Sequence, residues 1–302
     1  ILDADGRIVA ILLGRPDGSD WDDAMKEACR VMDQVRARGE KRGVLVAKNK
    51  SHCRGNFYTL QAGFTKGPGQ KKPGNLAHSK GHRRLLDPII KNRAIRRMAG
   101  FQSSELARYL PKLYHYQTTT MKGLCRTHPE LKRPFDNSCF PTVTFNLGPN
   151  VVTPEHVDML NNPFGMCAIT SNGIFDHTKG GHIYIELLKI VCEFPSGSTI
   201  FLLSGTCGHG NTPIRRDKSR YSMTQYAAGA LYRWAAYGHQ SAESLLSQPD
   251  GARQKREIDG APGERAAWAM GLLSKADELE QDREDVFGGN SLGVPLSVNH
   301  SV

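Results

Sequence analysis

The sequence predicts an α+β fold in which a double-stranded β-helix, of the jelly-roll and cupin-like kind, is flanked by N- and C-terminal helices. Three observations predict it. Beyond Pro134 the chain breaks into short β-rich runs divided by turn residues, at 139–146, 165–170, 182–192, 198–204 and 222–228, and regularly spaced short strands build sandwiches and barrels. On either side of that region apolar residues recur at the three- and four-residue spacing of helices. Within it, chemistry-bearing residues are spaced as if the first entered on one barrel strand and the last left on a late one.

Taken in order, residues 7–13 read as a buried strand, closed by Gly14 and a turn at Pro16, Asp17 and Gly18. Asp20 then caps a helix whose apolar positions Ala24, Met25, Ala28, Val31, Met32 and Val35 keep the helical spacing to near Gly39. Residues 43–47 read as a second strand. The stretch 67–81, rich in Gly, Pro, Lys, Gln and Asn, cannot bury a core and is expected to be a flexible loop. Asp87 and Pro88 open a helix in which Ile89, Ile90, Ile95 and Met98 alternate with Lys91, Arg93, Arg96 and Arg97, so one face packs and the other stays cationic. A further helix spans 103–116, its tyrosines (Tyr109, Tyr114, Tyr116) assigned to packing. Helices over 230–246 and 261–279, separated by a polar loop at 248–260, buttress the barrel. The expected division is 1–134 as an N-terminal α/β region, 135–232 as the core and 233–302 as a helical buttress. No internal repeat interrupts it.

The composition, 39 % hydrophobic and 23 % charged over 302 residues, marks a globular chain and not a disordered one. No apolar run reaches the ~20 residues of a bilayer span, and the opening residues lack a signal-peptide pattern, so a soluble, intracellular protein is expected. Because the chain opens on Ile1 and not Met, it reads as an excised fragment. The seven cysteines are irregularly spaced, which argues against a disulfide framework and for a reducing compartment. A zinc site can be drawn from His52, Cys53, Cys125 and His128, but neither pair has a finger context and core packing is the favoured use.

Net charge is +10, and nearly all of it lies in 65–97, where ten cations face the single acid Asp87 for a local +9. With the remainder of the chain almost neutral, a polyanion contact is favoured over a merely solvated loop.

His156 and Asp158 stand two residues apart, and in an extended chain positions i and i+2 share a face. After a Pro195-Ser196-Gly197 turn and an apolar strand comes His209. Two histidines and one carboxylate make a facial triad that leaves coordination positions open, the arrangement of non-haem Fe(II) oxygenases. Arg220 offers the planar fork a dicarboxylate requires. His177 and His182 are competing distal ligands, but neither is followed at a useful spacing by an Arg-x-Ser such as Arg220-Tyr221-Ser222, so His209 is preferred.

In this order of motifs, from about Phe140 to Tyr232, the chain resembles the Fe(II)/2-oxoglutarate dioxygenases of the TET/JBP group, especially those of mushroom-forming fungi. The resemblance implies Fe(II) on His156, Asp158 and His209, with 2-oxoglutarate held by Arg220 and Ser222. It implies that Asn161 hydrogen-bonds a flipped base and that Tyr226 lies beside it; without the resemblance, Asn161 reads as a turn residue and Tyr226 as strand packing. Ala228 stands where animal members carry a histidine, so strict 5-methylcytosine selectivity does not carry over. Asp217 is a further acceptor candidate for an exocyclic base amine. The expected activity is oxidation of base methyl groups, 5-methylcytosine stepwise and N6-methyladenine as well, on a base flipped from double-stranded DNA. Lys71, Lys72, Lys80, Arg83 and Arg84 are expected to hold the phosphates. The expected location is the nucleus, with no membrane and no protein partner. The rival readings are a protein or small-molecule hydroxylase, a thymine hydroxylase, and a DNA-binding module without iron.

Overall fold

A computed structural model describes residues 1–16 and 18–288. Strands β1 (Ala10–Leu13), β2 (Ser51–His52), β3 (Gly55–Asn56), β4 (Tyr58–Thr65), β5 (Gly74–Asn75), β6 (Thr142–Leu147), β7 (Cys167–Ile174), β8 (Ile183–Ile185), β9 (Ile190–Cys192), β10 (Thr199–Leu202), β11 (His209–Asn211) and β12 (Ser219–Tyr226) form two main sheets and one hairpin. The large sheet has the order β1-β10-β7-β12-β6-β4-β5 and the small one β11-β8-β9, while β2 and β3 pair alone. Every pairing between these strands is antiparallel. A large and a small antiparallel sheet enclosing a pocket make the expected jelly-roll core.

Alternation along β12 assigns the two faces of the large sheet. Tyr221 and Met223 point into an apolar layer with Tyr58, Leu60 and Ala62 of β4 and Val143, Phe145 and Leu147 of β6, as the two-residue period of a strand requires. Arg220, Ser222, Thr224 and Tyr226 point the other way, into the pocket. The apolar layer is closed by helices α1 (Ser19–Lys41), α2 (Lys80–Lys91) and α3 (Arg93–Tyr109). Trp21, Met32, Leu85, Ile89, Ile95 and Met98 are fully buried there, each contributing roughly 1.5–3 kcal/mol. A polar chain fastens α3 to the same face: Gln225 Nε2 donates to Gln102 Oε1 at 2.7 Å, and Gln102 Nε2 to Thr170 Oγ1 at 2.7 Å. Helix α4 (Pro111–Thr127) packs on α3, on α5 (Gly229–Ala236) and on α9 (Leu279–Phe287), with α6 (Ala242–Leu246), α7 (Gly251–Asp259) and α8 (Pro262–Gly271) between the last two in sequence.

Several expectations are corrected. Residues 43–47 are not a strand: Gly43 takes a positive φ of 64°, and the Val44 and Leu45 N–H groups fold back on the Gly39 carbonyl to close α1. Asp20 does not cap α1, which has Gly18 at its N-cap; Asp20 pairs with Arg97 at 2.8 Å. The turn at 16–18 includes Asp17, which lies outside the described residues. Helix α2 begins seven residues before Asp87, because the Ser79 hydroxyl accepts the His82 N–H, and it carries Pro88 inside its last turn. The loop at 67–81 is shortened by that start and by β5. The helix expected over 103–116 is divided at Leu110, where Pro111 opens α4. Residues 182–192 form the hairpin β8–β9 and not one strand. The polar loop at 248–260 contains α7, and the helices expected at 230–246 and 261–279 are each broken. Among the described residues no helix is long and apolar enough to cross a membrane.

Candidate active site

His156 and His209 face one another as an antiparallel bridge in which each backbone N–H donates to the other's carbonyl, at 3.1 and 3.0 Å. Their ring centroids are 4.4 Å apart. Asp158 is fixed two residues on, its N–H donating to the Ser204 carbonyl at 2.8 Å. The donor atoms of His156, Asp158 and His209 all lie within 4.8 Å of one another, and among the described residues no other group of three such side chains does this.

The protonation of both rings follows from their partners. His156 Nδ1 and His209 Nδ1 each stand 3.0 Å from a backbone carbonyl, of Pro154 and Cys207. A carbonyl only accepts, so each Nδ1 carries the proton and each Nε2 lone pair is left to a metal. Burial, chiefly, lowers the pKa of His209, which favours the neutral ligating form. Asp158 Oδ2 accepts from Asn161 Nδ2 at 3.2 Å. Its Oδ1 is buried, accepts no aligned hydrogen bond, and lies 3.7 Å from His156 Nε2 and 2.5 Å from an Arg54 nitrogen. A carboxylate oxygen turned towards two imidazole lone pairs is a cation site, and the two-histidine, one-carboxylate set fits Fe(II).

Arg220 lies in the same pocket on β12, opposite Gly173 of β7. It is 2 % exposed, donates through one nitrogen to the Val151 carbonyl at 3.2 Å, leaves Nε without a partner and has no carboxylate beside it among the described residues. Burial lowers its pKa to about 10, so it stays charged at neutral pH. A buried guanidinium without a counter-ion is costly, and a planar carboxylate would satisfy it in two places. Ser222 adjoins it; its Oγ accepts from Asn146 Nδ2 at 2.8 Å, which leaves the hydroxyl proton to donate. This pair fits one end of a dicarboxylate such as 2-oxoglutarate.

The other expected residues are placed variously. Asn161 lines the pocket, and its amide donates to Asp158 and, at 3.0 Å, to Ser204, so it braces the metal ligand. Tyr226 lines the pocket, and its hydroxyl accepts from Thr144 at 3.4 Å. Asp217 is not among the pocket's residues; it pairs with Arg215 and Lys218. His177 pairs with Glu193 at 2.9 Å, and His182 precedes β8; neither joins the triad. Lys71 and Lys72 are exposed in the loop before β5, with Lys72 3.1 Å from Glu130. Lys80, Arg83 and Arg84 are exposed on α2, which packs on the face of the large sheet turned away from the pocket. His52 and His128 make no cluster with Cys53 and Cys125: His52 lies 3.0 Å from the Phe57 carbonyl, and His128 accepts from Trp234.

Among the pocket residues that the sequence did not single out are Arg54 at the β2–β3 turn, Asn146, Asn211 and Thr224. For Asn146 a signal existed, a polar amide closing the predicted strand 139–146, which the fold sets in register with Ser222; for Arg54 there was none. With Arg54 reaching in, the pocket holds about 60 Å³ of free space.

No family model matches this sequence, and no curated protein does. Solved structures are similar at low level. NgTET1 in complex with 5mC DNA is 14 % identical, with a TM-score of 0.42 over 75 % of this chain and 74 % of that one. A Pseudomonas putida prolyl-4-hydroxylase is 13 % identical, with a TM-score of 0.32 over 72 % and 91 %. AviO1 from Streptomyces viridochromogenes Tue57 is 13 % identical, with a TM-score of 0.33 over 76 % and 97 %.

Proposed function

We propose that this chain is an Fe(II)/2-oxoglutarate-dependent dioxygenase that oxidises methyl groups on the bases of double-stranded DNA. The observation that carries the oxygenase reading is the pairing, within one pocket, of an inward-facing His-Asp-His set with a buried guanidinium that has no counter-ion among the described residues. When bound, Fe(II) and 2-oxoglutarate supply, with dioxygen, the oxidation of a C–H bond. His156, Asp158 and His209 would hold the metal, their Nδ1 hydrogen bonds keeping both rings in the ligating tautomer. Arg220 and Ser222 would orient the co-substrate from its far end, and the walls from β6, β7 and β12 would exclude water. Arg54 has to withdraw from Asp158 for a metal ion to take that oxygen, since its guanidinium and the ion compete for the same carboxylate Oδ1, 2.5 Å from an Arg54 nitrogen.

DNA as the substrate is supported by the motif resemblance, by Asn161 and Tyr226 standing at the pocket wall, and by the cationic loop of Lys66, Lys71 and Lys72 that starts beside the pocket. A base within a duplex has to be flipped to reach such a pocket, at a cost of a few kcal/mol. The test is mass spectrometry of nucleosides from methylated duplex DNA incubated with the protein, Fe(II), 2-oxoglutarate and ascorbate. Oxidised 5-methylcytosine or loss of N6-methyladenine, absent with His156→Ala, is the expected result. Succinate without an oxidised base would instead favour a protein or small-molecule hydroxylase. A nuclear location is part of the same proposal.

A further inference from the structure

Residues 158–161 form a tight turn in which the Asp158 carbonyl accepts the Asn161 N–H at 2.8 Å. The turn is pinned on both sides. Asp158 N–H donates to Ser204, the Leu160 carbonyl accepts from Gly229 N–H at 3.0 Å, and the Asn161 amide grips Asp158 and Ser204. At its tip stand Met159, 84 % exposed, and Leu160, 63 % exposed. Two adjacent large apolar side chains in water carry a standing cost. A mobile loop can fold such residues away, whereas a turn fixed by five hydrogen bonds cannot.

The surroundings of the tip say what it meets. Met159 and Leu160 form part of the wall of a groove of about 990 Å³ beside the pocket, whose other residues include Lys66, Arg233 and Arg265 against Asp259 and Glu264. An apolar point among net cationic charge suits a polyanion with an apolar interior, which is a stacked duplex. We propose that Met159 and Leu160 are a wedge that enters the base stack beside the nucleotide drawn towards the triad, an inference that rests on the base-oxidising reading. Apolar side chains inserted between base steps unstack them and hold the gap. Because Met159 directly follows Asp158, the opened stack and the reacting position are one residue apart along the chain.

The test uses a duplex with one 5-methylcytosine and a neighbouring 2-aminopurine, whose fluorescence rises on unstacking, titrated with the whole chain without iron. The wild-type protein brightens the probe. M159S/L160S loses most of that rise and binds the duplex about tenfold more weakly, a ratio equal to roughly 1.4 kcal/mol, yet holds the same sequence as a single strand as tightly as wild type. M159L/L160M, which keeps apolar bulk at both positions, restores the rise. An unchanged rise with M159S/L160S overturns the wedge, as does equal weakening on duplex and single strand. Failure of the parent reading is distinct: a wild-type protein that brightens the probe but oxidises no methylated base sinks the oxidase and leaves the wedge standing.

Discussion

Arg220 has a conspicuous energetic position, a guanidinium buried to 2 % exposure with Nε unpartnered. If it holds the co-substrate carboxylate by two parallel charge-assisted hydrogen bonds, lysine cannot replace it, because an ammonium is a point donor on a flexible stem. Arg220→Lys is expected to raise KM for 2-oxoglutarate about 10- to 100-fold, the loss of one bond worth roughly 1.5–3 kcal/mol, while kcat changes less. Steady-state kinetics with varied 2-oxoglutarate check this, and an unchanged KM removes Arg220 from the co-substrate site. Arg220 and the triad were legible because each is a residue type with few structural uses when placed at strand ends. Arg54 was not, since its approach to Asp158 depends on how a two-residue hairpin far away in sequence folds over the pocket.

At the scale of elements, the pocket depends on β7 and β12 lying close enough for Arg220 to reach the interior. Gly173 sits opposite Arg220 at a φ of 137°, and a Cβ there would collide with the Ser219 carbonyl oxygen and stand 2.9 Å from Arg220 Cα. Gly173→Ala therefore combines a disfavoured backbone with a backbone clash, and a destabilisation of about 1–3 kcal/mol is expected. Calorimetry should show Tm lower by several degrees, at roughly 2–4 °C per kcal/mol, with weakened 2-oxoglutarate binding. Gly14→Ala, where the added carbon meets nothing within 4 Å, is the control and should stay within about 0.5 kcal/mol. A normal Tm for Gly173→Ala would mean the strands part without cost. The late strands were readable because apolar runs alternate with turn residues. Strand β4 escaped notice although its eight residues carry the two-residue period of a half-buried strand, with Tyr58, Leu60, Ala62 and Phe64 buried and Thr59, Gln61, Gly63 and Thr65 between them; the partner that holds it, β6, lies about eighty residues on. The helix boundaries failed for a local reason, as the Ser79 and Asn92 caps outweighed the Pro88 signal.

Over the whole molecule, the +9 segment that stands out in the sequence is divided by the fold. Lys66 and residues 67–69 line the groove beside the pocket and lead to Lys71 and Lys72, whereas α2 carries Lys80, Arg83 and Arg84 on a helix packed against the opposite face of the large sheet. A straight duplex lying over the pocket cannot also run along that far face, so the loop half is the proposed phosphate arm. Each phosphate contact contributes about 0.9 to the slope of log K against log salt. Lys71→Gln/Lys72→Gln is therefore expected to flatten that slope by about 1 to 2, the lower value if Lys72 remains with Glu130, 3.1 Å away. Lys80→Gln/Arg83→Gln/Arg84→Gln should leave the slope unchanged. Duplex binding measured by fluorescence anisotropy across a range of salt decides between them. A flattened slope from the α2 substitutions alone would put the duplex on the helical face, out of reach of His156, Asp158 and His209, and the cationic segment would then no longer support a DNA substrate for this site.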